Sequence, residues 1–214
     1  MPARIIPLIN GQFYHIYNRG VEKRRIYENR RTYTRFLQAI NYYRLEGPKP
    51  KFSNFIQYKS FEPDPNKKIV DIVCYCLMPN HFHFLIKQLK EGGISEFISK
   101  LTNSYTKFYN TKFNRVGPLL QGQFKAVLIE SDEQLVHVSR YIHLNSVSSF
   151  LTKKPEDYEW SSYNEYLNGK GVCTKEEILN FFKSVADYKK FTDDQISYAQ
   201  ELELIKHQLL DGED

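Results

Sequence analysis

Two strand-like runs separated by only two residues constrain this chain more than anything else in it. Ile69-Val70-Asp71-Ile72-Val73-Cys74-Tyr75-Cys76-Leu77-Met78 is rich in β-branched and aromatic residues, and His81-Phe82-His83-Phe84-Leu85-Ile86 resumes the pattern directly after Pro79-Asn80. Runs joined by so short a turn fold as an antiparallel hairpin, and their apolar content says that the hairpin is buried. Side chains two apart on a strand share a face, so His81 and His83 look the same way. With a two-residue turn, Met78 faces His81 and Cys76 faces His83. Two imidazoles at this spacing can be bridged by one divalent ion.

A His-x-His pair on a strand is about as often packing as ligation, so a third ligand and a reactive group are needed to make it a site. Residues 131–145 supply both. Ser131, with Gln134 three residues on, has the form of a capping box, and Leu135, Val138, Ile142 and Leu144 recur near the helical period. On that helix Tyr141 and Asn145 lie one turn apart on a single face. A divalent ion held by His81, His83 and Asn145 would polarise a phosphodiester oxygen, and the Tyr141 phenol would attack phosphorus to give a phosphotyrosine. His137, one turn before Tyr141, is a candidate proton acceptor. His143, about 200° round the helix from Tyr141, is expected to be structural or DNA-facing. His15 is open between a place near the histidine pair and a satisfied core position.

These pieces resemble the HUH single-tyrosine transposases and, within them, the REP-associated tyrosine transposases. The matching segments are Tyr14-His15-Ile16-Tyr17-Asn18-Arg19-Gly20, Leu77 to Leu85, Gln121-Gly122-Gln123-Phe124-Lys125-Ala126, Tyr141-Ile142-His143-Leu144-Asn145, and Tyr158 to Tyr163. The resemblance implies a DNA-cleaving and joining enzyme acting on single-stranded or hairpin DNA through a 5′-phosphotyrosine, with magnesium or manganese as its metal. One departure stands out: the family usually continues with Asn-Pro-Val-Arg-Ala-Gly, whereas this chain reads Asn145-Ser146-Val147-Ser148-Ser149-Phe150. A proline helix stop and a basic residue beside the site are both missing.

Charge supports a polyanionic partner. Residues 1–150 hold 22 Lys and Arg against 11 Asp and Glu, a net +11, whereas residues 151–214 hold 8 against 14, a net −6. Arg19, Lys23, Arg24, Arg25, Arg30, Arg31 and Arg35 cluster beside Tyr17, Tyr27 and Tyr33, a mixture suited to phosphate contacts and base stacking. Arg19, Lys23, Arg24, Arg25 and Lys125 are the expected phosphate contacts. Cys74, Cys76 and Cys173 form an odd set that argues against a disulfide framework. No apolar run is long enough to span a membrane, so the expectation is a cytoplasmic, nucleoid-associated monomer or homodimer.

The predicted order is a strand over 12–18, a helix over 29–46, an irregular excursion over 47–68, the hairpin, a helix over 94–113, a strand over about 120–130, and the tyrosine helix. This β-α-β-β-α-β order is the ferredoxin-like, split βαβ arrangement: an α+β fold with an antiparallel sheet backed by helices. Residues 1–150 are expected to form the catalytic core. Residues 151–214 read as an acidic helical extension, with helices over about 175–190 and 193–210. Two rival readings follow from the same residues: a non-catalytic DNA-hairpin-binding protein on this scaffold, and a structural zinc site built from Cys74, Cys76, His81 and His83.

Overall fold

The computed structural model describes residues 7–47, 52–58 and 64–202. Four strands, β1 (Phe13–Arg19), β2 (Val70–Met78), β3 (His81–Gln88) and β4 (Lys125–Leu128), form one antiparallel sheet in the order β2-β3-β1-β4. Strand β3 thus inserts between β1 and β2, as the split βαβ order requires. The hairpin register is the one expected, with Met78 opposite His81 and Cys76 opposite His83.

Alternation on the strands divides the core in two. Phe82, Phe84 and Ile86 of β3, with Tyr14 and Ile16 of β1, face helices α1 (Arg30–Tyr43) and α3 (Gly93–Lys112), where they meet Phe36, Ile40, Phe97, Leu101 and Tyr105. The opposite face carries His81, His83 and Leu85 and is covered by α4 (Asp132–Ser148) and by the chain beyond it. Helix α1 starts where Asn29 accepts a bond from Thr32 N while the Thr32 hydroxyl reaches back to the cap.

Three elements differ from the sequence-based expectation. The excursion over 47–68 contains a two-turn helix, α2 (Phe52–Tyr58), held by Phe52 and Phe55 against Tyr42; residues 48–51 and 59–63 lie outside the described residues. Strand β4 is only four residues long, because Gly122 takes φ +60° and turns residues 121–124 out of the ladder. The first C-terminal helix is split into α6 (Glu176–Leu179) and α7 (Val185–Asp193), since Ser184 caps a new helix by accepting from Asp187 N; the second is helical over 196–202, and 203–210 lies outside the described residues.

Edge strand β2 is buried because the chain after α4 borders it. Leu77 N donates to Trp160 O, Ser162 N to Tyr75 O, and Thr174 N to Ile72 O, while the hydroxyls of Tyr158 and Tyr166 donate to the carbonyls of Leu77 and Val73. An otherwise open edge is thereby paired and closed. Helix α5 (Tyr163–Asn168) and α7 bring Tyr163, Tyr166 and Tyr188 around His143, whose Nδ1 is 2.7 Å from Tyr188 Oη and whose Nε2 is 2.8 Å from Ser162 Oγ.

His143 is thus structural, and burial lowers its pKa to about 3. The unfolded chain, with an ordinary imidazole pKa near 6.5, takes up a proton that the folded state refuses. The stability tied to His143 is therefore complete above about pH 6.5 and is lost as pH falls toward the folded value. Unfolding free energies from urea titrations at pH 7 and pH 5 should differ by roughly 2 kcal/mol from this group, at ~1.4 kcal/mol per unit. A His143→Gln protein should show a flatter profile, and an equally steep one would assign the acid sensitivity elsewhere.

Helix α4 ends without proline. Phe150 N bonds to Val147 O and Leu151 N to Ser146 O, a Schellman pairing with Phe150 at φ +55° in the position that favours glycine. The Phe150 ring is 54% exposed, so it contributes little packing in return. Phe150→Gly should stabilise the protein by about 1 kcal/mol and raise Tm by about 2–4 °C in a thermal melt. An unchanged or lower Tm would mean that the ring contributes more than its exposure indicates.

Candidate active site

One end of the β1–β3 pair, on the α4 side, forms a cavity of about 660 Å³. Its walls include His81, His83, Tyr141, Asn145, Arg19, Lys23 and Lys125, which brings together seven of the nine residues singled out from sequence. The register explains the meeting: Arg19 is opposite His81, Tyr17 is opposite His83, and Lys125 is opposite Tyr17 on the next strand. Helix α4 lies across this face, and its start is fixed by Ser131 Oγ accepting from Gln134 N at 3.1 Å. The Gln134 side chain accepts from Glu130 N rather than from the cap residue itself, a variant of the expected capping box.

Tyr141 is 51% exposed, and its ring meets those of His15 and His83 edge-on at 5.9 and 5.7 Å. Asn145 is buried, and its Nδ2 donates to Tyr141 O at 2.8 Å. That bond commits the amide nitrogen to the helix, so metal ligation would fall to the amide oxygen. In His81 the Nδ1 is 2.6 Å from Asn80 Oδ1, and in His83 the Nδ1 is 2.9 Å from His15 Nε2. Both rings are thus oriented through Nδ1, and ligation would fall to their Nε2 atoms. Outer partners of this kind are what a metal-binding histidine needs. The two-imidazole, one-amide set therefore fits a divalent ion, with phosphate and water oxygens to complete it.

His15 is the member that sequence left open. Burial lowers its pKa to about 4, so at neutral pH it is an uncharged partner to His83. Its place could be read only once β1 was known to pair with β3: with Tyr14 and Ile16 turned to the core, His15 and Tyr17 must share the His83 face. Tyr17 lines the same cavity and had been assigned only a flanking role.

The remaining candidates lie elsewhere. Arg24 is held by Val21 O and Glu22, and Arg25 lies 4.0 Å from Glu28; neither lines the cavity. His137 meets Arg140 Nη2 at 2.8 Å on its own helix and turns its ring to Phe191 of α7. Arg19 Nε donates to Gln121 Oε1 at 2.6 Å, which ties the β1 terminus to the 121–124 loop. Gly20 is required by packing, since a Cβ there would run into the Arg24 carbonyl. Ser148 lines the cavity and bonds back to Asn145 O.

The zinc reading does not hold. Cys76 stands opposite His83, but it is wholly buried in an apolar cluster with Cys74, with its Sγ 3.6 Å from Met78 Sδ. Among the described residues no cluster of three or more His, Cys, Asp and Glu is arranged to hold a metal. Among them, too, no helix is long and apolar enough to cross a membrane.

Comparison with known proteins bears on sequence family and on fold. Residues 58–145, which include the hairpin and end on Asn145, match the family described as Transposase IS200 like. No curated protein matches the chain. A solved REP-associated tyrosine transposase bound to a REP hairpin has the same fold, with 17% identity and a TM-score of 0.50 over 79% of this chain and 87% of that one. In sequence over residues 58–145 the chain resembles the IS200-like transposases, and in fold it resembles a REP-associated tyrosine transposase.

Proposed function

We propose that this protein is a metal-dependent DNA strand transferase that cuts single-stranded or hairpin DNA through Tyr141. The observation that carries the reading is the convergence, in one cavity, of an exposed tyrosine with His81, His83 and Asn145 and a rim of Arg19, Lys23 and Lys125. Residues 1–150 serve as the catalytic core, and the segment after 150 closes the sheet edge beneath it.

The three cationic side chains hold the phosphate backbone against the cavity. The Tyr141 oxygen attacks phosphorus and loses its proton; the P–O3′ bond breaks, and the departing 3′-oxygen is protonated. The 5′ side is left as a phosphotyrosine and the other side as a 3′-hydroxyl. One phosphodiester replaces another, so a second 3′-hydroxyl can reverse the attack and join strands without an external energy source. Magnesium or manganese, when bound by His81, His83 and Asn145, would withdraw charge from a non-bridging phosphate oxygen. The chain orients that set through Asn80, His15 and the Tyr141 carbonyl.

Incubation with a labelled pool of single-stranded hairpin DNAs and manganese, followed by denaturation, tests the reading. Label should remain on the protein. A salt-dependent, manganese-independent band shift with no label would instead identify a non-catalytic hairpin-binding protein.

A further inference from the structure

The arginine cluster of the sequence is not spent at the cleft. Arg31 and Arg35 project from α1 on the other side of the sheet, into a groove of about 710 Å³ where they meet Lys100, Lys107 and Lys112 of α3. No Asp or Glu lines this groove among the described residues. Lys100 is paired with Glu96 at 2.6 Å, but Arg31 and Lys107 are exposed. The Arg35 guanidinium is held over the rings of Phe52 and Phe108, at 4.2 and 5.3 Å from their centroids. Five cations gathered on two helices repel one another, and a polyanion laid between them removes that cost. Beside the aromatic rings of Tyr43, Phe52 and Phe108, the wall carries serine, threonine and asparagine side chains, the neutral donors that accompany phosphate contacts.

The groove is also joined to the cleft. Ser99 and Asn103 line both it and a trough of mixed polar and apolar lining, of about 870 Å³, on the other side of α3, and that trough shares Asn18 and Gln123 with the Tyr141 cavity. Glu91 is the one acidic residue lining the trough among the described residues. The cleft, the trough and the groove therefore adjoin in series along shared residues, and the series ends in concentrated positive charge.

We propose that the α1–α3 groove is a second nucleic-acid site, which grips the backbone of the DNA flanking the segment in the cleft, with the trough carrying the strand between the two. The proposal rests on the DNA reading of the cleft. Continuity with that cleft favours nucleic acid over an acidic protein as the occupant.

The test compares the wild type with an Arg31→Gln/Lys107→Gln protein, both changes at exposed positions. Each binds a single strand of roughly 8 nucleotides, long enough for the cleft alone, and the same strand extended by about 20 nucleotides on each side. The wild type should bind the extended strand more tightly and with a steeper salt dependence. On that strand the double variant should lose about tenfold in affinity at low salt and about 1.4 in the slope of log K against log salt, at ~0.7 per phosphate contact. On the short strand it should match the wild type. Equal loss on both lengths, or no loss on either, would overturn the second site while leaving the cleft reading intact. Wild-type protein that binds neither strand would remove the DNA reading itself.

Discussion

A Tyr141→Phe protein should form no covalent DNA adduct and should cleave at least about 10³-fold more slowly than the wild type, while binding the same hairpin within about twofold. The size of the effect follows from the role, because without the phenolic oxygen the attacking atom is gone and only positioning and charge remain. The substitution leaves the fold alone: Tyr141 is half-exposed, and a phenylalanine ring preserves its edge-on contacts with His15 and His83. A second tyrosine makes the test sharp. Tyr17 lines the same cavity, with its ring 5.8 Å from that of His83, and is the one rival tyrosine in that cavity among the described residues. Tyr17→Phe should therefore keep the adduct. Should the adduct survive in Tyr141→Phe and vanish in Tyr17→Phe, the nucleophile lies on β1 and the role given to α4 is wrong.

What the sequence made legible here was local. The hairpin, its register and the shared face of His81 and His83 follow from a two-residue turn and a period of two. The start of α4 follows from Ser131 and Gln134, and the offset of Tyr141 and Asn145 from the helical repeat. Features that depend on distant segments were harder to see. His15 could not be placed beside His83 until β1 was paired with β3. The shortness of β4 hangs on a left-handed Gly122, in a stretch whose apolar residues otherwise read as strand. The burial of β2 depends on Trp160, Ser162 and Thr174, which return some 85 to 100 residues later to pair its edge. One basic cluster in the sequence becomes four separate groups in space: Arg19 and Lys23 enter the cleft, Arg24 and Arg25 lie beside Glu22 and Glu28, Arg30 pairs with Glu159, and Arg31 and Arg35 face α3. Charge counted along a chain reports that a polyanion is favoured, whereas the surfaces it meets are set by which side of each helix is left uncovered.

Loss of either histidine should be nearly as severe as loss of the tyrosine, and the two losses should differ in kind. His81→Ala and His83→Ala should each lower cleavage by about 10³-fold, the several kcal/mol expected when a cation that stabilises charge on a phosphate is no longer held. Calorimetric titration with manganese should show the binding seen in the wild type abolished in both, and a chelator should reduce the wild type to their level. Stability separates them. His83 is only 7% exposed and takes the 2.9 Å contact with His15, so removing it leaves a polar nitrogen of a mostly buried ring without that partner, at a cost of about 1–3 kcal/mol. His81 is more exposed and is paired with Asn80 at the turn, so His81→Ala should unfold within about 0.5 kcal/mol of the wild type. A His83→Ala/His15→Phe protein should recover part of the stability without recovering cleavage, because an apolar ring needs no partner but supplies no ligand. If cleavage instead proceeds in His81→Ala at the wild-type rate and without manganese, the pair orients the strand rather than holding an ion, and the charge developing on phosphate must be met by Arg19, Lys23 and Lys125.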